Sequence, residues 1–304
     1  MDTPQRVLVA GSTGLIGTAL CRALRDRGDE VVRLVRGSPG RGDELGWDPV
    51  SGTLPTGSLD GVHAVVNLAG AGVGDHRWTP DYKRTVLASR VDTTRTLAEA
   101  IASAGRPVRF VAGSAVGYYG DRGEEALDET SERGEGFLAD VVLAWESAAD
   151  AARQAGAPVV HARTGIVLSR SGGALARLLP LVRLALAGPI GSGRQFWPWI
   201  TLVDEVRALI HLIDRPDMVG PVNLVGPAPA RQREVVAALA SAAGRPALLP
   251  APALALRLVL GEFADDILGS QRVVGTALVD SGFTHVHPTV EQAAAWVLEG
   301  ETPA

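Results

Sequence analysis

Two hydrophobic periods alternate through the first half of the chain. Short apolar or β-branched runs at Val7–Ala10, Glu30–Val35, His63–Leu68, Val108–Ala112 and Val159–Arg163 predict buried strands. Between them, apolar residues recur at helical spacing. Leu15, Ile16, Ala19, Leu20, Ala23 and Leu24 form one such stripe, which Gly28 stops. A long helix is predicted over about residues 81–104. Another is predicted over residues 137–154, with Leu138, Val141, Val142, Trp145, Ala149 and Ala152 on one face. Strand–helix alternation at this spacing predicts a doubly wound parallel sheet covered on both faces, with ligands bound beyond the carboxyl ends of its strands.

The pattern changes after Gly165. Proline, glycine and tryptophan cluster between Gly188 and Trp199. A helix follows with Val203, Val206, Leu209, Ile210 and Ile213 inward, then a strand at Pro221–Val225 and a helix at Arg231–Ala243. The last 60 or so residues are rich in Ala, Leu and Pro. No repeat or low-complexity linker divides the chain. The expectation is therefore an α/β domain over residues 1–164 and a smaller α/β lobe over residues 165–304 folded onto it.

Where the first strand meets the first helix, Gly11-Ser12-Thr13-Gly14-Leu15-Ile16-Gly17 places three glycines three apart. Glycines let backbone approach a pyrophosphate closely, and the free N–H groups of a helix start point at it. This turn predicts a dinucleotide site. A turn that only packs helix on sheet is the plain alternative.

Composition narrows the class. Of 304 residues, 46% are hydrophobic and 21% charged, enough for a large core and against disorder. The net charge of −5, with no long basic run, argues against nucleic acid as a partner. The single cysteine, Cys21, forbids an internal disulfide and fits a reducing compartment. No leader is visible, and the apolar stretches 178–186 and 248–260 are interrupted by Arg183, Arg257 and prolines. A cytoplasmic protein that does not enter membranes is expected.

Arg36 ends the second predicted strand, where an acidic residue usually holds the adenosine ribose; the next acid is Asp43. A guanidinium suits a 2′-phosphate, so the cofactor expected is NADP(H). An exposed loop arginine is the bland reading. Asn67-Leu68-Ala69-Gly70 ends another strand with small residues that let a cofactor pass. Arg90 falls on the inward stripe with Val86, Thr93, Leu97 and Ile101, where it needs an anion, a carbonyl partner or a route to water. Ser114 follows a central strand and leads into Tyr118 and Tyr119, a hydroxyl and phenols placed for acid–base work on a carbonyl. Packing aromatics in a turn would look the same.

In the second half, Gly191-Ser192-Gly193-Arg194-Gln195-Phe196-Trp197-Pro198-Trp199 offers charge and stacking to a ligand, through Arg194 and Trp199, or simply a packed loop. Asp204 and Glu205 are read as helix-dipole partners. His285 and His287 lack clustered co-ligands, so no metal site is expected.

Together these motifs resemble the extended short-chain dehydrogenase/reductase superfamily, in its epimerase/dehydratase branch. They are most similar to an atypical subfamily of NADP-binding "epimerase family" proteins, often called nucleoside-diphosphate-sugar epimerases. The similarity runs through the glycine turn, Asn67–Gly70, Arg77-Trp78-Thr79 with Lys83, Ser89-Arg90, Ser114–Gly120 and Trp145-Glu146. It continues through Arg163–Leu168, Gly188–Gln195, Pro198-Trp199-Ile200 and Gly261-Glu262. The resemblance implies a Rossmann-like domain and cofactor contacts from Arg36, Leu68, Ala69, Arg90 and backbone around Gly165. It also implies a family-specific segment over about residues 247–298, a small-molecule substrate of unknown identity and a homodimer.

One departure matters. The superfamily catalyses with Tyr-x-x-x-Lys, and this chain cannot contain that pair. Its only lysine, Lys83, has Thr79 four residues before it, and the helix that should carry the motif offers Leu138 and Val142. Arg122, four after Tyr118, stays charged and cannot pass protons. Two readings follow. In one, an NADP(H)-dependent oxidoreductase or epimerase uses Tyr119 or Tyr118 as acid/base, Ser114 to position a carbonyl, and Lys83 for charge. In the other, the protein binds NADPH silently as a sensor or partner-binding protein.

Overall fold

A computed structural model describes residues 4–300. Residues 1–3 and 301–304, the outer ends of the two expected domains, lie outside the described residues. Seven parallel strands form the main sheet: β1 (Arg6–Ala10), β2 (Glu30–Arg36), β3 (Glu44–Trp47), β4 (Ala64–Asn67), β5 (Arg109–Ala115), β6 (Val159–Thr164) and β7 (Gly220–Leu224). Their order is β7-β6-β5-β4-β1-β2-β3. Strand order reverses at β1, which pairs with β2 on one side and β4 on the other. This reversal opens the crevice in which doubly wound sheets bind ligands.

Period-two alternation sorts each strand's side chains between two cores. Val7, Val9, Ala64, Val66, Val111, Val160 and Ala162 face helix α1 (Leu15–Arg27), through Leu20, Cys21 and Leu24, and the helix Leu202–Asp214, through Leu209 and Leu212. Leu8, Ala10, Val65, Phe110 and Ala112 face the opposite way, onto α2 (Pro80–Ala102), through Leu97, Ala98 and Ile101, and onto Ala149 and Ala152. Thr79 caps α2 by accepting from the Tyr82 amide, and Pro80 starts it without wasting a donor.

Three local readings change. The predicted helix over residues 137–154 is two helices, α3 (Phe137–Ser147) and Asp150–Gln154, because backbone at Ala148 and Ala149 closes in turns on Ala144, Trp145 and Glu146. β3 was not foreseen: four residues including a glycine carry no strand period, yet Gly46 lets it pass the Gly37 carbonyl, which an added Cβ would approach to 2.5 Å. The helix Leu202–Asp214 buries Leu202, Asp204, Glu205, Val206, Leu209 and Leu212, while Val203 and Ile210 are half-buried.

Chain beyond Thr164 supplies β7 and the helix Leu202–Asp214 to the main sheet sandwich. It also builds a second core from Leu168, Leu175, Leu179, Trp197, Trp199, Val235, Leu239, Ala293 and Val297. Short two-stranded pairings knit this lobe, including Ile166–Leu168 with Trp199–Thr201 and Phe196–Trp197 with Ala230–Arg231. No helix among the described residues is long and apolar enough to cross a membrane.

Candidate functional site

The glycine turn is built to admit a ligand. Gly11 has φ +78°, and a Cβ there would lie 2.5 Å from the Leu68 carbonyl carbon; a Cβ on Gly17 would lie 2.2 Å from the Gly11 carbonyl oxygen. Backbone cannot yield to such contacts, so both positions require glycine. Gly14 precedes α1 with no side-chain cap, and no acidic residue occupies the first turn. The first amides of the helix are thus left for an anion. Beside them the Ser12 hydroxyl is buried and has no hydrogen-bond partner. A buried hydroxyl without a partner is costly unless something binds it.

Asn67 shapes the facing wall. Its Oδ1 accepts from the Ala69 amide (3.1 Å), and its Nδ2 donates to Thr94 Oγ1 (2.9 Å), which also accepts from the Trp145 indole (2.9 Å). Asn67 itself is fully buried, so Leu68, Ala69 and Gly70 supply the wall's surface. Arg90 reaches the same wall: Nη1 donates to the carbonyls of Ala71 (2.9 Å) and Val86 (3.0 Å), its guanidinium lies 5.1 Å from the Trp145 ring, and Gly70 is kept bare beneath it. Burial draws the Arg90 guanidinium down to about 10, and it pairs with no carboxylate among the described residues. An anion is what it lacks.

At the end of β2, Arg36 is exposed and pairs with no described carboxylate. Asp43 is not available to a ribose, because Arg33 grips it at 2.9 Å through both carboxylate oxygens and Arg25 joins them; the Arg33 hydrogen bonds hold Asp43 down at about 2.

A second cluster lies at the carboxyl end of β5, where Ser114 pairs with Arg163 in the sheet. Ser114 Oγ donates to Glu146 Oε1 (2.6 Å), and Glu146 takes both prongs of Arg163 at 2.8 and 2.9 Å. Arg163 Nη1 donates to the Tyr119 hydroxyl (3.0 Å), which donates to Asn223 Oδ1 (2.9 Å). Burial alone would raise the Glu146 carboxyl, but the bonds and charge of Arg163 overcome it and hold it below the usual range. Tyr119, expected as an acid/base, is fully buried with its hydroxyl engaged on both sides, and burial raises it further; it belongs to the scaffold. Tyr118 differs. Its half-buried ring lies 3.6 Å from the Arg163 guanidinium, and its hydroxyl has no partner among the described residues.

Other candidates settle elsewhere. Lys83 donates to Glu262 and sits 4.9 Å from the Phe137 ring, so its charge is engaged by the C-terminal segment. Trp199, expected at the substrate, is 1% exposed in the second core with its indole donating to the Ala228 carbonyl (3.1 Å). Arg194 is exposed. Gly165 is needed first for packing, since a Cβ there would meet the Pro198 oxygen at 2.1 Å. His285 Nε2 lies 2.9 Å from the Val225 carbonyl oxygen.

Glu146, Arg163 and Asn223 were not singled out as site residues from the sequence. The one signal was a charged residue on an otherwise apolar element: Glu146 beside Trp145, and Arg163 ending a buried strand. Asp204 and Glu205 also turn inward. Asp204 accepts from the amides of Val286 (2.7 Å) and His287 (3.1 Å). Glu205 accepts from Thr164 Oγ1 (2.7 Å), its Oε2 has no partner, and burial pushes it up to about 8.

That burial predicts a pH dependence. Below about 4.5 both states carry the proton; from there to about 8 the unfolded chain ionises while the folded one does not, so stability falls as pH rises. The loss should reach about 3 kcal/mol at pH 7, at about 1.4 kcal/mol per pH unit. Urea denaturation of Glu205→Gln should lack this slope; parallel profiles for variant and wild type would contradict it.

A doubly wound sheet with a glycine cradle at its switch point defines a dinucleotide-binding class of fold. Residues 7–226 match the NAD dependent epimerase/dehydratase family, and the chain belongs to it. Residues 251–297 match a domain of unknown function (DUF1731). The chain is 44% identical over 291 residues to the epimerase family protein MT2273 of Mycobacterium tuberculosis, covering 95% of this chain and 96% of that one. It also resembles the crystal structure of human epimerase family protein SDR39U1 with NADPH, with TM-score 0.89 and 35% identity over 97% of this chain and 99% of that one. A nucleoside-diphosphate sugar epimerase structure from Corynebacterium glutamicum matches at TM-score 0.81 and 33% identity, over 97% of this chain and 58% of that one.

Proposed function

We propose that this protein binds NADP(H) and is an oxidoreductase or epimerase-like enzyme acting on a carbonyl or nucleotide-sugar-like small molecule. The observation that carries the reading is the glycine cradle with its unpartnered Ser12 hydroxyl. The NADPH in the human relative's structure supports the choice of cofactor. Amides at the start of α1 and Ser12 would hold the diphosphate, Leu68, Ala69 and Gly70 would line the opposite wall, and Arg36 and Arg90 would supply charge. The bound coenzyme supplies hydride chemistry.

Tyr118 is the proton-transferring group. The Arg163 guanidinium lies 3.6 Å from its ring and holds that ring in place, in the position where the usual motif sets a lysine ammonium beside its tyrosine. Ser114 gives its hydrogen to Glu146, so an incoming carbonyl must compete with that carboxylate for it. Tyr118→Phe should lower kcat for NADPH oxidation about a hundredfold and leave the NADPH Kd unchanged, whereas Tyr119→Phe should lower stability. Equal kcat for Tyr118→Phe and wild type would overturn the assignment.

A specific observation favours the silent-binding reading as second choice: Ser114 and Tyr119 are both satisfied within the protein. Tight NADPH binding with no oxidation across carbonyl and nucleotide-sugar panels would select it.

A further inference from the structure

The helix Ala253–Leu260, in the C-terminal segment, buries none of its residues. Leu256 and Leu260 hold its inner side and are half-buried. Its outer side is apolar without a break: Leu254 with Leu258, and Ala255 with Val259, stand four apart on one face. Leu254, Leu258 and Val259 are 70%, 71% and 73% exposed. A surface helix ordinarily turns polar residues outward, and this one turns leucines.

More apolar surface adjoins it. Leu248 and Leu249 lead into the helix, and Leu184 and Leu186 follow the helix Leu175–Arg183; all four are at least half exposed. The two stretches run side by side. The Ala251 amide donates to the Pro189 carbonyl (2.9 Å), and the Gly191 amide donates to the Ala251 carbonyl (2.9 Å). Gly188 lies so close to Leu249 that a Cβ there would stand 2.3 Å from the Leu249 carbonyl oxygen. Seven aliphatic side chains in one area, on the order of 100 Å² each, exceed the roughly 300–600 Å² of an ordinary monomer's largest apolar patch. Each partner in a standard interface contributes about 800 Å², of which about 60% is apolar, so this face suffices for one such interface.

Charge and shape select the occupant. Arg257, the only charged residue of the helix, is paired with Asp265 of its own chain (2.8 Å), and Glu262, just beyond, is paired with Lys83. The helix therefore presents no unbalanced charge to repel its own copy, as a self-complementary interface requires. The net charge of −5, with Glu262, Asp265 and Asp266 directly following the helix, disfavours an anionic membrane surface. Antiparallel pairing of two such helices about a point between Leu256 and Arg257 sets each Ala255 against the facing Leu258, small against large, and each Leu254 against the facing Val259. We propose that this face is a two-fold interface with a second copy of the chain, centred on antiparallel helices Ala253–Leu260. The C-terminal segment thereby gains a role in self-association.

Light scattering on the full chain as it elutes from a sizing column tests this. Wild type at micromolar concentration should show twice the chain mass of 31.6 kDa. Leu258→Glu enters a two-fold interface twice, so it should raise the dimer Kd by about a hundredfold or more, with the circular dichroism spectrum unchanged. Val50→Glu, 80% exposed on the loop after β3, should leave the mass at that of wild type. Ala255→Lys should also give monomers, and mixing it with Leu258→Glu should restore a dimer, because antiparallel pairing brings the two opposite charges together. A monomeric wild type, a Leu258→Glu variant that stays dimeric, or a mixture that does not recover overturns the proposal. A monomeric wild type that floats with phosphatidylcholine vesicles overturns it in favour of a membrane.

Discussion

Gly17→Ala should lose NADPH affinity by about a hundredfold or more, equivalent to roughly 3 kcal/mol. The added methyl would stand 2.2 Å from the Gly11 carbonyl oxygen and 3.0 Å from Ser12 Cα. Both are backbone atoms of the turn that forms the cradle. Relief requires α1 to move away from β1 or the turn to open, and each displaces the amides from the diphosphate. Gly28→Ala is the matched control. Gly28 has φ +98° and open space around it, so that change should cost about 1 kcal/mol of stability and leave cofactor affinity intact. Titration calorimetry with circular dichroism separates the two effects. Equal affinities for Gly17→Ala and wild type would show that the turn does not hold the ligand.

Glu146→Ala should be the most damaging single change to stability. Its carboxylate is 13% exposed and Arg163 is 4% exposed, so removal strands a buried guanidinium that has lost both strong acceptors. Breaking such a pair costs about 3–5 kcal/mol, or a fall in Tm of roughly 6–15 °C at this chain length. Ser114 loses its acceptor at the same time, and Tyr119 keeps a donor whose anchor has gone. Replacing both partners, Glu146→Met with Arg163→Met, should cost less than Glu146→Ala alone, because no uncompensated charge remains. Scanning calorimetry checks this; a double variant as unstable as the sum of the singles would contradict it.

How far the sequence led depends on the range of each interaction. The strands of the main sheet other than β3, and α1, were legible because apolar runs and helical spacing are local. The glycine turn was legible because its three glycines lie within seven residues, although the close approach that fixes Gly11 comes from Leu68 and Ala69. Arg90 could be placed on an inward stripe, but its neighbours at Ala71 and Trp145 arise only when α2 packs against β4 and α3. The network of Ser114, Glu146, Arg163, Tyr119 and Asn223 draws on β5, α3, β6 and β7, so no spacing reveals it. That network also explains why Tyr119 misled: two adjacent tyrosines look equivalent in sequence, and only burial separates them. Trp199 misled for a related reason, since an aromatic in a glycine-rich loop reads the same whether it lines a cleft or fills a core. Asp204 and Glu205 looked like dipole partners because nothing nearby shows that Thr164 and the amides of Val286 and His287 will meet them.

The central claim is that the turn at Gly11–Gly17 and the free guanidinium of Arg36 together select a phosphorylated nicotinamide dinucleotide. Parallel titration of the purified protein with NADPH and NADH tests this most directly. The account predicts saturable NADPH binding at least about tenfold tighter than NADH binding, with the difference removed by Arg36→Ala. Equal affinities for the two dinucleotides, or no binding of either, would contradict it.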